Sequence, residues 1–135
     1  MNNACTTWTP RILAILRIVT GYVLLWHGLA KLFHVPHIAM FDNLPVFSLL
    51  GVAGIIELIV GVLLIIGLFT RPAAFIGSGF GAAAYFVGHV APSGIFFLPI
   101  LNGGETAILL CFIMFYIIFA GPGSWSLDGS RGQAA

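Results

Sequence analysis

Charge is what this chain most lacks. Only 7% of its 135 residues are Asp, Glu, Lys or Arg, while 60% are hydrophobic; ordinary soluble domains carry about 25% charged residues. A chain this poor in polar side chains has nothing with which to cover a large water-facing surface, so a soluble domain is excluded. The net charge of +1 and the absence of a Lys/Arg cluster leave no electrostatic footprint for nucleic acid, so no nucleic-acid partner is expected. Cysteine is scarce as well: Cys5 and Cys111 form no CxxC pair, and one sits in a terminal segment while the other lies inside an apolar run, which argues against dithiol catalysis. No nucleotide loop, haem attachment motif or Ser/His/Asp signature is present. His34 and His37 form an HxxH pair near Asp42, but Pro36 interrupts the segment and no zinc ligand set is complete, so no metal site is expected.

What remains is apolar length. Four runs, at about 11–32, 45–69, 72–90 and 103–120, are separated by the polar or breaker-rich stretches "HVPHIAMFDNLP", "TRP" and "APSGIFFLPILNGG". A membrane-crossing helix needs about 20 apolar residues. Backbone groups in lipid must be satisfied internally, and no stretch shows the alternation of a barrel strand. The fold expected is therefore an all-α membrane protein, a four-transmembrane-helix bundle forming a single domain. A cleaved signal peptide is the competing reading of the first run, since "GLA" loosely resembles a cleavage site. It is disfavoured because no charge precedes Arg11 and Arg17 lies within the run. Arg11, Arg17, Arg71 and Arg131 fall on the side of the two termini and only Lys31 on the other, so the positive-inside rule places both termini in the cytoplasm of a plasma (inner) membrane.

Within this apolar frame the stretch "GIIELIVG" carries Glu57, and an ionised group at the bilayer centre costs about 2.5–3.5 kcal/mol on insertion scales. Gly54, Glu57 and Gly61 share one helical face, and Arg17, Gly21, Leu24, Gly28 and Lys31 share another on the first helix. The acid is expected to face the bundle interior. Counting rise per residue from the cytoplasmic side puts Arg17 at roughly 9 Å, Tyr22 at 16 Å, Glu57 and Tyr85 at 20 Å and His27 at 24 Å. The same count stacks Lys31, His89, Asn102 and Glu105 at roughly 27–30 Å. Two polar levels follow: Glu57 with Tyr22, Tyr85 and His27, then a second group at the mouth. With no cation at its own depth, Glu57 is expected to be a neutral hydrogen-bond donor. Each residue also has a simpler explanation. Glu57 can be a helix-packing device, Arg17 can snorkel to the headgroups, and Glu105 can be the N3 acid of a capping box with Asn102 as N-cap. The stretch "GSGFGAAA" reads as helix packing.

"RIVTGYVLLWHGLAKL", "GIIELIVGVLLIIGLFTRPAA", "NGGETAILL" and "GPGSWSLDG", in this order and over nearly the whole chain, resemble the DoxX family of small four-helix membrane proteins. The resemblance implies association with membrane redox enzymes, since founding members look like subunits of a thiosulfate:quinone oxidoreductase, while many relatives have no assigned activity. The expectation is an accessory subunit that binds a quinone or another amphiphile through Glu57, Tyr85, Tyr22 and His27, with no intrinsic cofactor. Its partners would be the lipid bilayer and redox-enzyme subunits, a homo-oligomer remaining open. A small solute or lipid carrier and a non-catalytic assembly factor are the alternatives.

Overall fold

The computed structural model describes residues 2–132, and these fold into four long helices joined by short irregular segments. They are α1 (Asn2–Phe33), α2 (Leu49–Ile66), α3 (Thr70–Ser93) and α4 (Glu105–Ala120). No strand occurs among the described residues. By length and composition α1, α2 and α3 are each able to cross a membrane; α4 is apolar but shorter, at 16 residues, or about 24 Å.

The helix limits differ from the sequence expectation at each junction, for local reasons. α1 begins at Asn2 and runs through Pro10, so the polar start is helical. The hydroxyls of Thr6, Thr7 and Thr9 donate to carbonyls about one turn back, Asn3 O at 3.0 and 2.9 Å and Cys5 O at 2.7 Å, which keeps these polar side chains on the helix surface. α2 begins at Leu49 and not near residue 45, because Ser48 caps it by accepting from Gly51 N at 3.1 Å. It ends at Gly67, whose left-handed φ of 67° lets Leu68 N reach back to Leu63 O at 3.0 Å, a glycine C-terminal motif. α3 starts at Thr70, two residues before Pro72. Proline fits there because the N–H groups of a first turn have no helical partner to lose.

α1 packs on α2, α3 on α4, and α2 against α3 joins the two pairs. The α1–α2 seam is built on glycines seven residues apart. A Cβ at Gly21 would lie 2.7 Å from Gly61 O, and one at Gly28 would lie 2.9 Å from Gly54 O, so the two backbones touch and no larger residue fits. The stripe expected on each helix is thus the contact face. In the second pair the small-residue stretch packs as expected. Ser78 Oγ donates to Cys111 O at 3.0 Å, and Gly77 leaves room for Met114 Sδ, which a Cβ would approach to 2.3 Å. Leu24, Val60, Leu64, Ala73, Ala74, Met114 and Ile117 close the centre.

Residues Ala84–Val90 of α3 form a π-helix, one residue per turn wider than the α-helix around it. Such insertions shift the register of everything that follows. Here the shift accompanies a buried Tyr85 and a half-buried His89 turned toward the segment that precedes α4.

Candidate functional site

Apart from Thr20 and Ser78, whose hydroxyls bond to helix carbonyls, the polar residues of the described interior fall into three groups, at two ends of the bundle. The loop end carries segments 34–48 and 94–104; the terminal end carries the turn 67–69 and the tail after Ala120.

At the loop end Glu57 meets Lys31. Lys31 Nζ lies 2.6 Å from Oε1 and 2.7 Å from Oε2, and both side chains are nearly enclosed, 10% and 6% exposed. Phe41, in the short helical turn Ala39–Phe41 of the first loop, is buried with its ring centroid 5.9 Å from Nζ, within cation–π range. This corrects the expectation that no cation lies at the depth of Glu57 and that Lys31 belongs to a separate level. Two facts explain the difference. α2 starts four residues late, so Glu57 is only eight residues, about 12 Å, from the loop end. In addition, helical side chains lean toward the N-terminus, so the long stem of Lys31 carries its ammonium down toward the carboxylate.

Tyr22 and His27 do not join this pair. Tyr22 is exposed and stacks edge-on with Trp26 at 6.0 Å. His27 is exposed too, with Nδ1 2.8 Å from Val23 O of its own helix. Depth along the helix says nothing of direction. Each neighbours a seam glycine, Gly21 or Gly28, and one residue of helical rotation turns it from the seam to the outside.

The second group, also at the loop end, is Tyr85, His89 and Asn102. Tyr85 Oη donates to Phe96 O at 2.5 Å and accepts from Asn102 Nδ2 at 3.2 Å. Asn102 Nδ2 also donates to Ile95 O at 2.9 Å, and its Oδ1 accepts from Gly104 N at 2.7 Å. His89 Nδ1 faces Asn102 O at 3.1 Å. The expected pairing of His89 with Asn102 holds, and Tyr85 moves up to join them; Lys31 and Glu105 do not take part. Glu105 is exposed at the first position of α4, Gly104 is the N-cap, and no side chain caps this terminus. The expected capping box is therefore not formed, because the turn at Gly103, with φ 71°, spends Asn102 on the Gly104 N–H instead.

The third group is at the terminal end and is saturated. Arg17 is fully buried and does not snorkel. Nε donates to Pro122 O at 2.7 Å, Nη1 to Leu64 O at 2.5 Å and Ile65 O at 3.0 Å, and Nη2 to Ser124 O at 3.2 Å and Trp125 O at 2.8 Å. Every N–H of the guanidinium has a carbonyl, and the charge sits at the negative end of the α2 dipole. Asp128 answers it, accepting from Phe69 N at 2.9 Å and Thr70 N at 2.8 Å at the positive end of α3. Burial alone would raise the Asp128 carboxyl, but these N–H groups and the Arg17 charge hold it below the usual carboxylate range. Arg71 binds the last turn of α4 through Ile118 O and Phe119 O. Sequence reasoning missed Asp128 and Phe41. An acid two residues after Ser126 was a signal for a capped turn, whereas nothing marked Phe41.

Among the described residues no three His, Cys, Asp or Glu side chains converge as metal ligands. His37 Nε2 and Asp42 Oδ1 pair at 2.9 Å on the surface, without His34. A groove of about 430 Å³ between α2 and α3, lined by Ile56, Val60, Leu63, Phe69, Pro72 and Ile76 among others, is wholly apolar and touches none of the polar groups.

The family model for DoxX matches residues 12–90, more than half of the chain and all of α1 beyond its first turns, α2 and most of α3. The chain belongs to the DoxX family. An "Uncharacterized protein" of Haemophilus influenzae is 46% identical over 129 residues, covering 95% of this chain and 96% of that protein. No solved structure matches. The DoxX match contains Lys31, Glu57, Tyr85, His89 and Arg17, while Asn102, the tail and Asp128 lie beyond it. In this DoxX protein, then, one charged cluster has all its bonding capacity committed to backbone and another does not. Among the described residues, Lys31 gives two of its three N–H groups to Glu57, and Glu57 accepts from Lys31 alone.

Proposed function

We propose that this DoxX protein is a four-span subunit of the plasma (inner) membrane, with both termini in the cytoplasm, that serves a membrane redox system by holding a quinone or similar amphiphile at Lys31 and Glu57. The observation that carries the reading is the contrast in bonding capacity. Arg17 is exhausted by five backbone carbonyls, as befits a structural group. Among the described residues, Lys31 keeps one N–H and Glu57 keeps free lone pairs next to an aromatic ring, at the loop end of the bundle. A carbonyl or hydroxyl head is the chemistry that this remaining donor and these acceptors complement. The ring of Phe41 supplies an apolar surface beside them. The Arg bias supports the orientation: Arg11, Arg17, Arg71 and Arg131 belong to the terminal end, and Lys31 alone to the other. α4 completes a fourth span if the apolar residues before it share its crossing.

The carrier alternative has less support. Between the two charged clusters the described interior is filled mainly by Leu24, Val60, Leu64 and Met114, and the hydroxyls of Thr20 and Ser78 are bonded to helix carbonyls, which speaks against a continuous polar route.

The test is extraction of bound lipid-soluble redox compounds from purified protein, together with its affinity for added ubiquinone in nanodiscs. Retention of quinone that Lys31→Met lowers at least about tenfold, with an unchanged circular dichroism spectrum, supports the site; tenfold corresponds to about 1.4 kcal/mol. Equal binding by Lys31→Met, or no binding by the wild type, removes the quinone reading. Solute flux in liposomes in that case favours a carrier, and its absence an assembly factor.

A further inference from the structure

The loop end is apolar where a water-exposed end would be polar. Segment 94–104 contains no Asp, Glu, Lys or Arg, and segment 34–48 contains only Asp42, which is paired with His37. Their side chains project outward: Phe47 is 93% exposed and Phe97 85%, with Met40, Leu49, Ile100 and Leu101 all largely uncovered. A patch of this kind marks a protein interface or a membrane contact. A second, independent observation concerns length. α2 has 18 residues and α4 16, about 27 and 24 Å, against a hydrocarbon core of about 30 Å. The missing thickness lies at the loop end for α4, because its other end is fixed by the Arg71 bonds to Ile118 O and Phe119 O and by the glycine at residue 121 that ends the helix. The residues that make it up are those just before it, Ile100 and Leu101. The patch is also continuous with the exposed apolar sides of the helices, through Leu49 and Leu50 on α2 and Phe86 on α3, so the hydrocarbon that solvates the helices reaches it without a break.

We propose that both loops at this end lie in the interfacial zone of the membrane, so that the Lys31–Glu57 pair opens toward lipid and takes its ligand from the leaflet and not from water. The ligand class is then an amphiphile with a small hydrogen-bonding head at the headgroup level and an apolar tail; this last step rests on the binding role given to the pair above, whereas the position of the loops does not. Membrane immersion fits the patch better than a protein partner because its polar groups are few, the His37–Asp42 pair among them, while its exposed surface is dominated by Phe47, Phe97, Met40, Ile100 and Leu101. The turn bearing Phe41 covers the pair from above, which leaves the lipid side as the way in.

The experiment is spin-label depth measurement in lipid nanodiscs, on full-length protein with Cys5→Ser and Cys111→Ala. Phe47→Cys and Phe97→Cys are labelled singly, with Phe86→Cys as the lipid-facing reference and Ser130→Cys, exposed at the terminal end, as the aqueous one. Labels at 47 and 97 are expected to be reached by dissolved oxygen and shielded from a water-soluble nickel chelate, at a depth of about 5–10 Å below the headgroup boundary. Access of the nickel chelate equal to that at Ser130→Cys overturns the proposal. So does shielding from both reagents, which means that a second copy or another protein covers the patch. Because none of these outcomes depends on ligand binding, failure of quinone retention and failure of loop immersion are read separately. The route to the pair is checked with Phe41→Cys. Its thiol should react with the membrane-dissolving N-ethylmaleimide and not with a charged methanethiosulfonate, and any other pattern sinks access from the leaflet.

Discussion

Lys31 on α1 and Glu57 on α2 form a two-point ion pair, with Nζ 2.6 and 2.7 Å from the carboxylate oxygens, one helical turn from the place where Gly28 and Gly54 bring the two backbones into contact. The glycines are what make the pair short, since any larger residue would hold the helices too far apart for both oxygens to be reached.

Removing one partner should therefore cost more than removing both. Lys31→Met or Glu57→Leu alone strands a charge in a nearly closed site, at about 3 kcal/mol or more, and the double variant should recover much of that loss. Thermal unfolding of the four proteins in one detergent measures it. Additive losses would mean that the two groups are not coupled.

The glycine seam makes a sharper demand. Gly21→Val would set side-chain atoms within 3 Å of the Gly61 carbonyl and the Ile65 amide, and overpacking of this kind costs about 1–3 kcal/mol. Gly79 has nothing within 4 Å of its Cβ position, so Gly79→Ala should be neutral or gain up to about 1 kcal/mol in helix propensity. The midpoint of thermal unfolding should fall for Gly21→Val and hold or rise for Gly79→Ala, and a matching drop for both would show that the helices pack otherwise.

Arg17→Lys is not a conservative change here. An ammonium has three N–H groups and no fork to span the last turn of α2 and three carbonyls of the tail. The loss of charged hydrogen bonds is expected to cost about 2–4 kcal/mol. The tail should also become sensitive to protease at Ser124–Leu127 while the four helices remain. A tail that stays protected in Arg17→Lys would assign its attachment to Asp128 alone.

The attachment at Asp128 has a defined pH dependence. Its carboxyl is held below the usual range in the folded protein, so its contribution is fully present above the unfolded value of about 3.9 and is lost as pH falls through the lowered folded value. Hydrogen exchange at the Phe69 and Thr70 amides, corrected for intrinsic rate, should stay flat from neutral pH to about 4 and rise only below it. Asp128→Asn should show the raised exchange at every pH. A rise beginning near neutral pH would point to a different titrating group.

The sequence by itself determined the class of the protein and most of its internal faces. A shortage of charge forces the chain into lipid, lipid forces the backbone into helices, and glycines at helical spacing on 21, 28, 54 and 61 can only mean a close seam. That much follows from solvent and periodicity, which are local properties. The caps at Ser48 and Gly67 are local as well, yet they went unread, and the second helix was expected four residues too early. What only the tertiary structure decided is which polar groups meet. Depth along a helix can be counted, but azimuth depends on the packing, so Tyr22 and His27 left the site that their height suggested. The reach of a long side chain can span a full turn, so Lys31 came down to Glu57. Arg17 could be read as an intramembrane charge but not as a saturated one, because three of its five acceptors belong to Pro122, Ser124 and Trp125, more than a hundred residues away in the chain. Partners at that separation leave no periodic trace, and they are brought together only when the tail folds back under the bundle.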